Sequence, residues 1–277
     1  MLKRKFKIAL AQISCRREKE ANLQKMEEYA RKAKELGAEL VVFPELSLTG
    51  YIIRDDVYEL AEEIPGPSTR VMEKMARELG LYVIFGMPEL SEKAEATIYN
   101  SAVLVGSEGL IGKYRKIHLP NHSVFEEKRY FRPGYNPGAF ETKLGKIGLI
   151  ICYDIFFPEL SRLLRLEGAK LMVCISASPS ARRKFFETLT IARAIENSAF
   201  FAYVNLVGIE NGLQFWGGSR LVSPNGDIIV EAACDEESLV IGEVDYTSLK
   251  PTEIFTPTIK DLRPELFEKL RIKAETF

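Results

Sequence analysis

"GKIGLIICYDIFFPELSRLLRLEGAKLMVCISA", residues 145–177, decides the fold class. The apolar run 145–154 predicts a buried strand. A helix is predicted over 157–169, with Pro158 in its first turn, where the missing N–H does no harm. A second apolar run, 170–177, predicts another strand. Strand, helix and strand in direct succession are the signature of an α/β unit. The same stretch poses a chemical question. Cys152 ends the first strand, followed at once by Tyr153 and Asp154. The plain alternative is a small buried hydrophobe, since free cysteine is among the most buried residue types. Against it stands position, because ligands of α/β folds sit beyond the carboxyl ends of strands. A helix follows, and its N-terminal dipole would favour a thiolate.

The pattern extends in both directions. "KIALAQI" (7–13) reads as a buried strand. Residues 21–39 place Leu23, Met26, Tyr29, Ala30, Ala33 and Leu36 on one helical stripe that Gly37 stops. Strand 38–45 follows, then a helix from Ser68 to Gly80, a strand over 81–86 and a hairpin over 100–116. On the other side come a helix over 183–199, a strand over 200–208, two strands flanking "SPNGD" (223–227) and a strand over 239–245. The tail, 246–277, holds Pro251, Pro257 and Pro264 and one short helix near 264–273. It is expected to pack on its own domain or on a second subunit. Hairpins among the alternating helices and strands exclude a purely parallel barrel. They predict mixed α/β sheets in a four-layer α–β–β–α sandwich, a single domain over 1–277.

The 277 residues carry 38 basic and 39 acidic side chains, a net charge of −1 that gives no reason to expect nucleic acid or an anionic membrane as partner. The four cysteines, Cys15, Cys152, Cys174 and Cys234, are scattered, which fits a reducing compartment and no disulfide framework. The N-terminal apolar run is short and broken by Gln12, so neither a signal peptide nor a spanning helix is expected, and the cytoplasm is the expected location. No cofactor motif is found: G-x-S-x-G, P-loop and G-x-G-x-x-G are all absent.

A nucleophilic cysteine needs a base. The only histidines, His118 and His122, share one loop, "KIHLPNH". Their i, i+4 spacing would suit zinc on a helix, but Pro120 lies between them and no third ligand is clustered nearby, so no metal is expected. The other candidate bases are carboxylates. The tetrapeptide "FPEL" occurs twice, giving Glu45 at the end of strand 38–45 and Glu159 on the helix after Cys152. A carboxylate buried beside a strand-end thiol would have its pKa raised toward the working range. A turn or helix-cap role is the plain alternative.

Three stretches taken together resemble the nitrilase superfamily of carbon–nitrogen hydrolases: "VVFPELSLTGY" (41–51), "YRKIHLP" (114–120) and "LIICYDIFFPEL" (149–160). Their order and spacing match as well, over about Lys7 to Asp245. The resemblance implies the four-layer sandwich, a homodimer or higher homo-oligomer, and hydrolysis of a small amide or nitrile without a cofactor. It implies Cys152 as nucleophile, Glu45 as base and Lys116 as the cation, with Glu127 in "VFEEKRYFRPG" as a second glutamate, preferred over Glu126 by its spacing to the "PG". The backbone N–H of Tyr153 would join Lys116 at the oxyanion. A lysine among carboxylates makes physical sense, because a thiolate beside two of them is otherwise repelled.

"HLPNHSVFEEKRYFRPG" and "FWGGSRLVSPNGD" further resemble the glutamine-hydrolysing domain of NAD synthetase, but the ATP-using domain and its "SGGxDS"-like loop are missing. An amidase releasing ammonia through a thioester is therefore the leading expectation. A glutamine-hydrolysing subunit, a nitrilase, an N-carbamoyl amidase and an inactive binding relative are the alternatives. Relatives acting on N-carbamoyl amino acids often carry arginines where this chain has Ile155 and Phe156. Tyr51, Phe125, Ile155, Phe156, Ser176 and Trp216 are candidate pocket residues, and Arg182 or Arg183 is a candidate for holding an anion or for a plain surface role.

Overall fold

The computed structural model describes residues 3–94 and 96–276. Along the chain come β1 (Lys5–Gln12), α1 (Lys19–Glu35), β2 (Leu40–Val42), α2 (Val57–Leu60), α3 (Pro67–Leu79), β3 (Tyr82–Leu90), β4 (Ile98–Gly106), β5 (Gly109–Arg115), α4 (Glu127–Tyr130), β6 (Gly138–Phe140) and β7 (Ile147–Ile151). Then follow α5 (Pro158–Leu166), β8 (Leu171–Ser176), α6 (Arg183–Asn197), β9 (Phe200–Asn205), β10 (Val207–Glu210), β11 (Leu213–Trp216), β12 (Arg220–Val222), β13 (Ile228–Glu231), β14 (Ser238–Asp245), α7 (Leu249–Phe255) and α8 (Pro264–Thr276). Two six-stranded mixed sheets result, ordered β14-β1-β2-β3-β4-β5 and β13-β12-β9-β8-β7-β6. The parallel pairings are β1–β2, β2–β3, β7–β8 and β8–β9.

Side-chain alternation dictates the layers. On β1, Ile8 and Leu10 join the cluster that also holds Leu149 and Ile151 of β7, whereas Ala9 and Ala11 join Met26, Ala30 and Met72 of α1 and α3. The inner sheet faces therefore meet each other, and helices cover the outer faces. Strands covered on both sides read as unbroken apolar runs, as β2 and β8 do. Each fully buried Leu or Ile contributes about 1.5–3 kcal/mol.

Several boundaries differ from expectation. Strand 38–45 is paired only as Leu40–Val42, leaving Glu45 in a turn beyond the strand. The run 200–208 breaks at Leu206, whose N–H turns to the Ser176 carbonyl. The chain then forms the separate ribbon β10–β11, which hydrophobicity alone does not distinguish from a continued strand. The tail has two helices rather than one. Pro251 lies in the first turn of α7, where it breaks no helical hydrogen bond. Helix α7 buries Leu249 and Thr252, while α8 buries none of its residues.

Candidate active site

Glu45 is delivered by a turn that folds beneath the sheet. The Phe43 N–H still donates to Ile84, Pro44 has no N–H to give, and Leu46 adopts φ +49°. Gly86 makes this approach feasible, because a Cβ there would lie 2.3 Å from the Leu46 nitrogen. The result is a fully buried carboxylate. Glu45 Oε1 accepts from Asn100 Nδ2 and Lys116 Nζ, both at 2.7 Å, and Oε2 accepts from the Ala177 N–H at 2.7 Å.

Lys116 follows β5 directly. Its N–H donates to Asn100, and its carbonyl accepts from Gly134. A Cβ on Gly134 would meet the Arg115 carbonyl at 2.2 Å, which explains the glycine of "RPG". The Lys116 ammonium is completely buried and also donates to Glu127 Oε1 at 2.6 Å. Tyr51 donates its hydroxyl to the same oxygen at 2.6 Å. Glu127 is buried and Glu126 exposed. Burial pushes Glu127 up to about 7, against the pull of Lys116. Burial also opposes the Lys116 charge, but Glu127 and Glu45 outweigh it and hold that pKa above the usual lysine range.

Cys152 opens a 3₁₀ turn, Cys152–Phe156, at φ +46°. A left-handed residue with a side chain is strained by about 1–2 kcal/mol, and such strain concentrates at functional positions. Asp154 secures the turn. It accepts from Tyr114 Oη and the Ile151 N–H, and from both the N–H and ring Nδ1 of His118. Asp154 and His118 thus hold one another, and the His118 ring stacks on Phe157. The dipole argument from sequence fails here, because α5 starts only at Pro158. Burial first, and the Glu45 carboxylate second, push the Cys152 thiol up, against Lys116 and the Ser176 hydroxyl. Burial and Glu45 both disfavour ionisation of the sulfur, so its activation calls for a neighbouring base.

A cavity of about 150 Å³ opens on Cys152. Phe125, Tyr153 and Phe156 line it, together with Arg182 and Phe186. Of the other pocket candidates, Tyr51 faces the buried side through its bond to Glu127, and Ser176 is buried at the end of β8. Ile155 and Trp216 do not line the cavity: Ile155 is fully buried, and Trp216 stacks on Tyr203 beneath the surface. The Trp216 ring packs directly over Gly218, where a Cβ would overlap it.

Three participants carried no readable signal. Asn100 sits in a strand, the Ala177 N–H is backbone, and Glu210 lies at the end of β10. Glu210 Oε2 accepts the N–H groups of Tyr51 at 2.9 Å and Ile52 at 2.8 Å, and so fixes the loop that aims Tyr51 at Glu127.

The model of the family described as "Carbon-nitrogen hydrolase" matches residues 7–253. A nitrilase of Pyrococcus abyssi (strain GE5 / Orsay) is 36% identical over 90% of this chain and 94% of its own length. Omega-amidase NIT2 of Xenopus tropicalis is 32% identical over 95% of this chain and 97% of its own. Among solved structures, a glutamate-to-glutamine variant of the amidase from Nesterenkonia sp. AN1 superposes with a TM-score of 0.84 at 27% identity, covering 95% of this chain and 96% of that one. That structure shows covalent addition of the acetamide moiety of fluoroacetamide at its active-site cysteine. With two mixed sheets and a family match over nearly its whole length, this chain is an enzyme of the nitrilase superfamily and belongs to the carbon–nitrogen hydrolases.

Proposed function

We propose that the chain is an amidase that releases ammonia from a small amide through a thioester on Cys152. The observation that carries this reading is the buried cluster in which Lys116 bridges Glu45 and Glu127, in the same interior as the Cys152 thiol. In the first step Glu45 takes the Cys152 proton as sulfur forms a bond to the amide carbonyl carbon. Lys116 and the Tyr153 N–H donate to the developing oxyanion, each such donor being worth about 2.7–4 kcal/mol. The carbon–nitrogen bond then breaks, and Glu45 passes its proton to the departing ammonia. Water attacks the thioester next, again giving its proton to Glu45. The acid leaves as the thiol is restored. Glu127 keeps Lys116 charged and oriented throughout.

Exposed Leu266, Phe267, Leu270 and Ile272 on α8 favour a second copy of the chain as the cover for that helix. Four free cysteines, and no helix among the described residues long and apolar enough to cross a membrane, favour a cytoplasmic enzyme. The decisive experiment is ammonia release from a panel of small amides, with mass spectrometry of the quenched enzyme. An acyl adduct on Cys152, and loss of both adduct and ammonia in Cys152→Ala, is the expected result. Undiminished turnover by Cys152→Ala would end the proposal.

A further inference from the structure

A line of hydroxyls runs from Cys152 into its own sheet. Strands β7 and β8 pair in parallel as far as Ile151 and Ile175, so the next residues, Cys152 and Ser176, stand side by side at the carboxyl edge. Strand β8 pairs in turn with β9, where Cys174 is opposite Tyr203 and Ser176 is opposite Asn205. The Ser176 hydroxyl lies beside the Cys152 sulfur, and the Tyr203 phenol lies beside the hydroxyls of Ser176 and Ser178. Ser176, Ser178 and Tyr203 are all fully buried.

The backbone that carries these serines is tightly held. The Ser176 carbonyl accepts from the Leu206 N–H at 3.0 Å, and the Ala177 N–H donates to Glu45 Oε2 at 2.7 Å. The Ser178 N–H donates to Asn205 Oδ1 at 2.7 Å, and Asn205 Nδ2 donates to the Ser178 carbonyl at 3.2 Å. The hydroxyls are not held in this way. Neither serine hydroxyl nor the Tyr203 phenol makes an aligned hydrogen bond among the described residues. Protein interiors rarely leave such groups idle, because their hydration is lost and nothing replaces it. Packing does not ask for the phenol. The Tyr203 ring stacks on Trp216, with centroids 6.0 Å apart, and lies 5.4 Å from the Phe186 ring, contacts that phenylalanine would make equally well. Hydrogen bonds at catalytic sites are often poorly aligned at rest and tighten as the reaction proceeds. On Cys152 charge develops twice in each turnover, when sulfur attacks and when it leaves.

Resting on the amidase reading, we infer that Ser176 and Tyr203 form a donor line to the sulfur. The Ser176 hydroxyl donates to Cys152 Sγ as the thiol proton passes to Glu45, and donates again as the sulfur leaves the thioester carbon. The Tyr203 phenol donates to Ser176 Oγ and so fixes the direction of the serine proton. The Ser178 hydroxyl donates to the phenol oxygen, since a hydroxyl gives one hydrogen bond and accepts others. Every hydroxyl keeps its own proton throughout. Ser176 touches a reacting atom and is a catalytic residue, whereas Tyr203 acts through it and is a positioning residue.

The test measures two rates in wild type, Ser176→Ala, Ser176→Thr, Tyr203→Phe and the double variant Ser176→Ala with Tyr203→Phe. One is alkylation of Cys152 by iodoacetamide, followed by mass spectrometry. The other is ammonia release from propanamide. The expected result is a fall in alkylation rate and in kcat of about 10- to 100-fold for Ser176→Ala and about 3- to 10-fold for Tyr203→Phe, with KM unchanged. Ser176→Thr keeps the hydroxyl and most of both rates. The double variant is no slower than Ser176→Ala, because Tyr203 acts only through Ser176. Wild-type rates in Ser176→Ala or in Tyr203→Phe overturn the donor line while the amidase reading stands. So do a loss in Ser176→Thr as large as in Ser176→Ala, losses that multiply in the double variant, or a raised KM at unchanged kcat. If iodoacetamide leaves Cys152 of the wild type unlabelled and no small amide yields ammonia, the amidase reading fails and the donor line falls with it.

Discussion

The tetrapeptide Phe-Pro-Glu-Leu occurs at 43–46 and again at 157–160, and the two copies have opposite fates. In the first, the chain leaves the short strand β2, turns through a left-handed Leu46, and buries Glu45 completely with three donors around it. In the second, Pro158 opens α5 and Glu159 stands exposed in its first turn, a favourable place for a carboxylate against the helix dipole. The residues are identical, so the difference comes from what lies beneath. Gly86 opens room under the first copy, and Asn100, Lys116 and Ala177 repay the desolvation of its carboxylate. Under the second copy the helix keeps growing, and of the four residues only Leu160 is buried. A short motif therefore carries no chemistry until its surroundings decide whether its charge meets water or protein.

Substitutions can break this contrast. Glu45→Gln should reduce kcat about a thousandfold, the loss typical of a general base. A steady-state assay on any good amide substrate measures it, and a loss under tenfold would move the base elsewhere. The pH–rate profile sharpens the contrast further. Glu127 titrates above the ordinary carboxylate range, so it takes up a proton as pH falls through about 7. Lys116 then loses one of its two carboxylate partners, and kcat/KM should fall by about tenfold per pH unit on the acid side. Lys116 and Cys152 are both shifted upward, so neither adds a falling limb as pH rises through the usual cysteine range. Because Glu45 and Glu127 interact, the observed midpoint belongs to the cluster. A profile that stays flat down to about pH 5 would remove Glu127 from the set of essential ionised groups.

Gly86→Ala places a methyl group against backbone that cannot yield, and overpacking of this kind costs about 1–3 kcal/mol. A thermal midpoint lowered by about 5 °C, with reduced kcat, is expected. Wild-type values for both would show that the close approach does not position Glu45. Smallest of all, Glu159→Gln should change kcat less than twofold, as exposed positions usually do. A large loss there would reverse the assignment of the two copies.

Much of this was legible in advance. Hydrophobic runs and their breaks revealed the α/β units and the two-sheet sandwich, because strands covered on both faces must be apolar throughout. The resemblance of their flanking stretches singles out Cys152, Glu45, Lys116 and Glu127, and the structure joins Glu45, Lys116 and Glu127 in one buried hydrogen-bonded cluster. Less legible were the elements whose hydrophobicity imitates something else. The start of β10 reads as a continuation of β9, and α7 hides behind Pro251.

What the sequence determined by itself is the inventory: which strands are buried, which residue types are available for acid–base and nucleophilic work, and a net charge of −1. What only the tertiary structure decided is who meets whom. Glu45 receives the Ala177 N–H from 132 positions away, and Tyr51 is held by Glu210 from 159 positions away. It also decided what surrounds the sulfur. From sequence a helix dipole would favour a thiolate, but burial and the neighbouring Glu45 carboxylate push the Cys152 thiol pKa up instead. Backbone donors and burial have no residue letter, and they arise only when the two sheets close on one another.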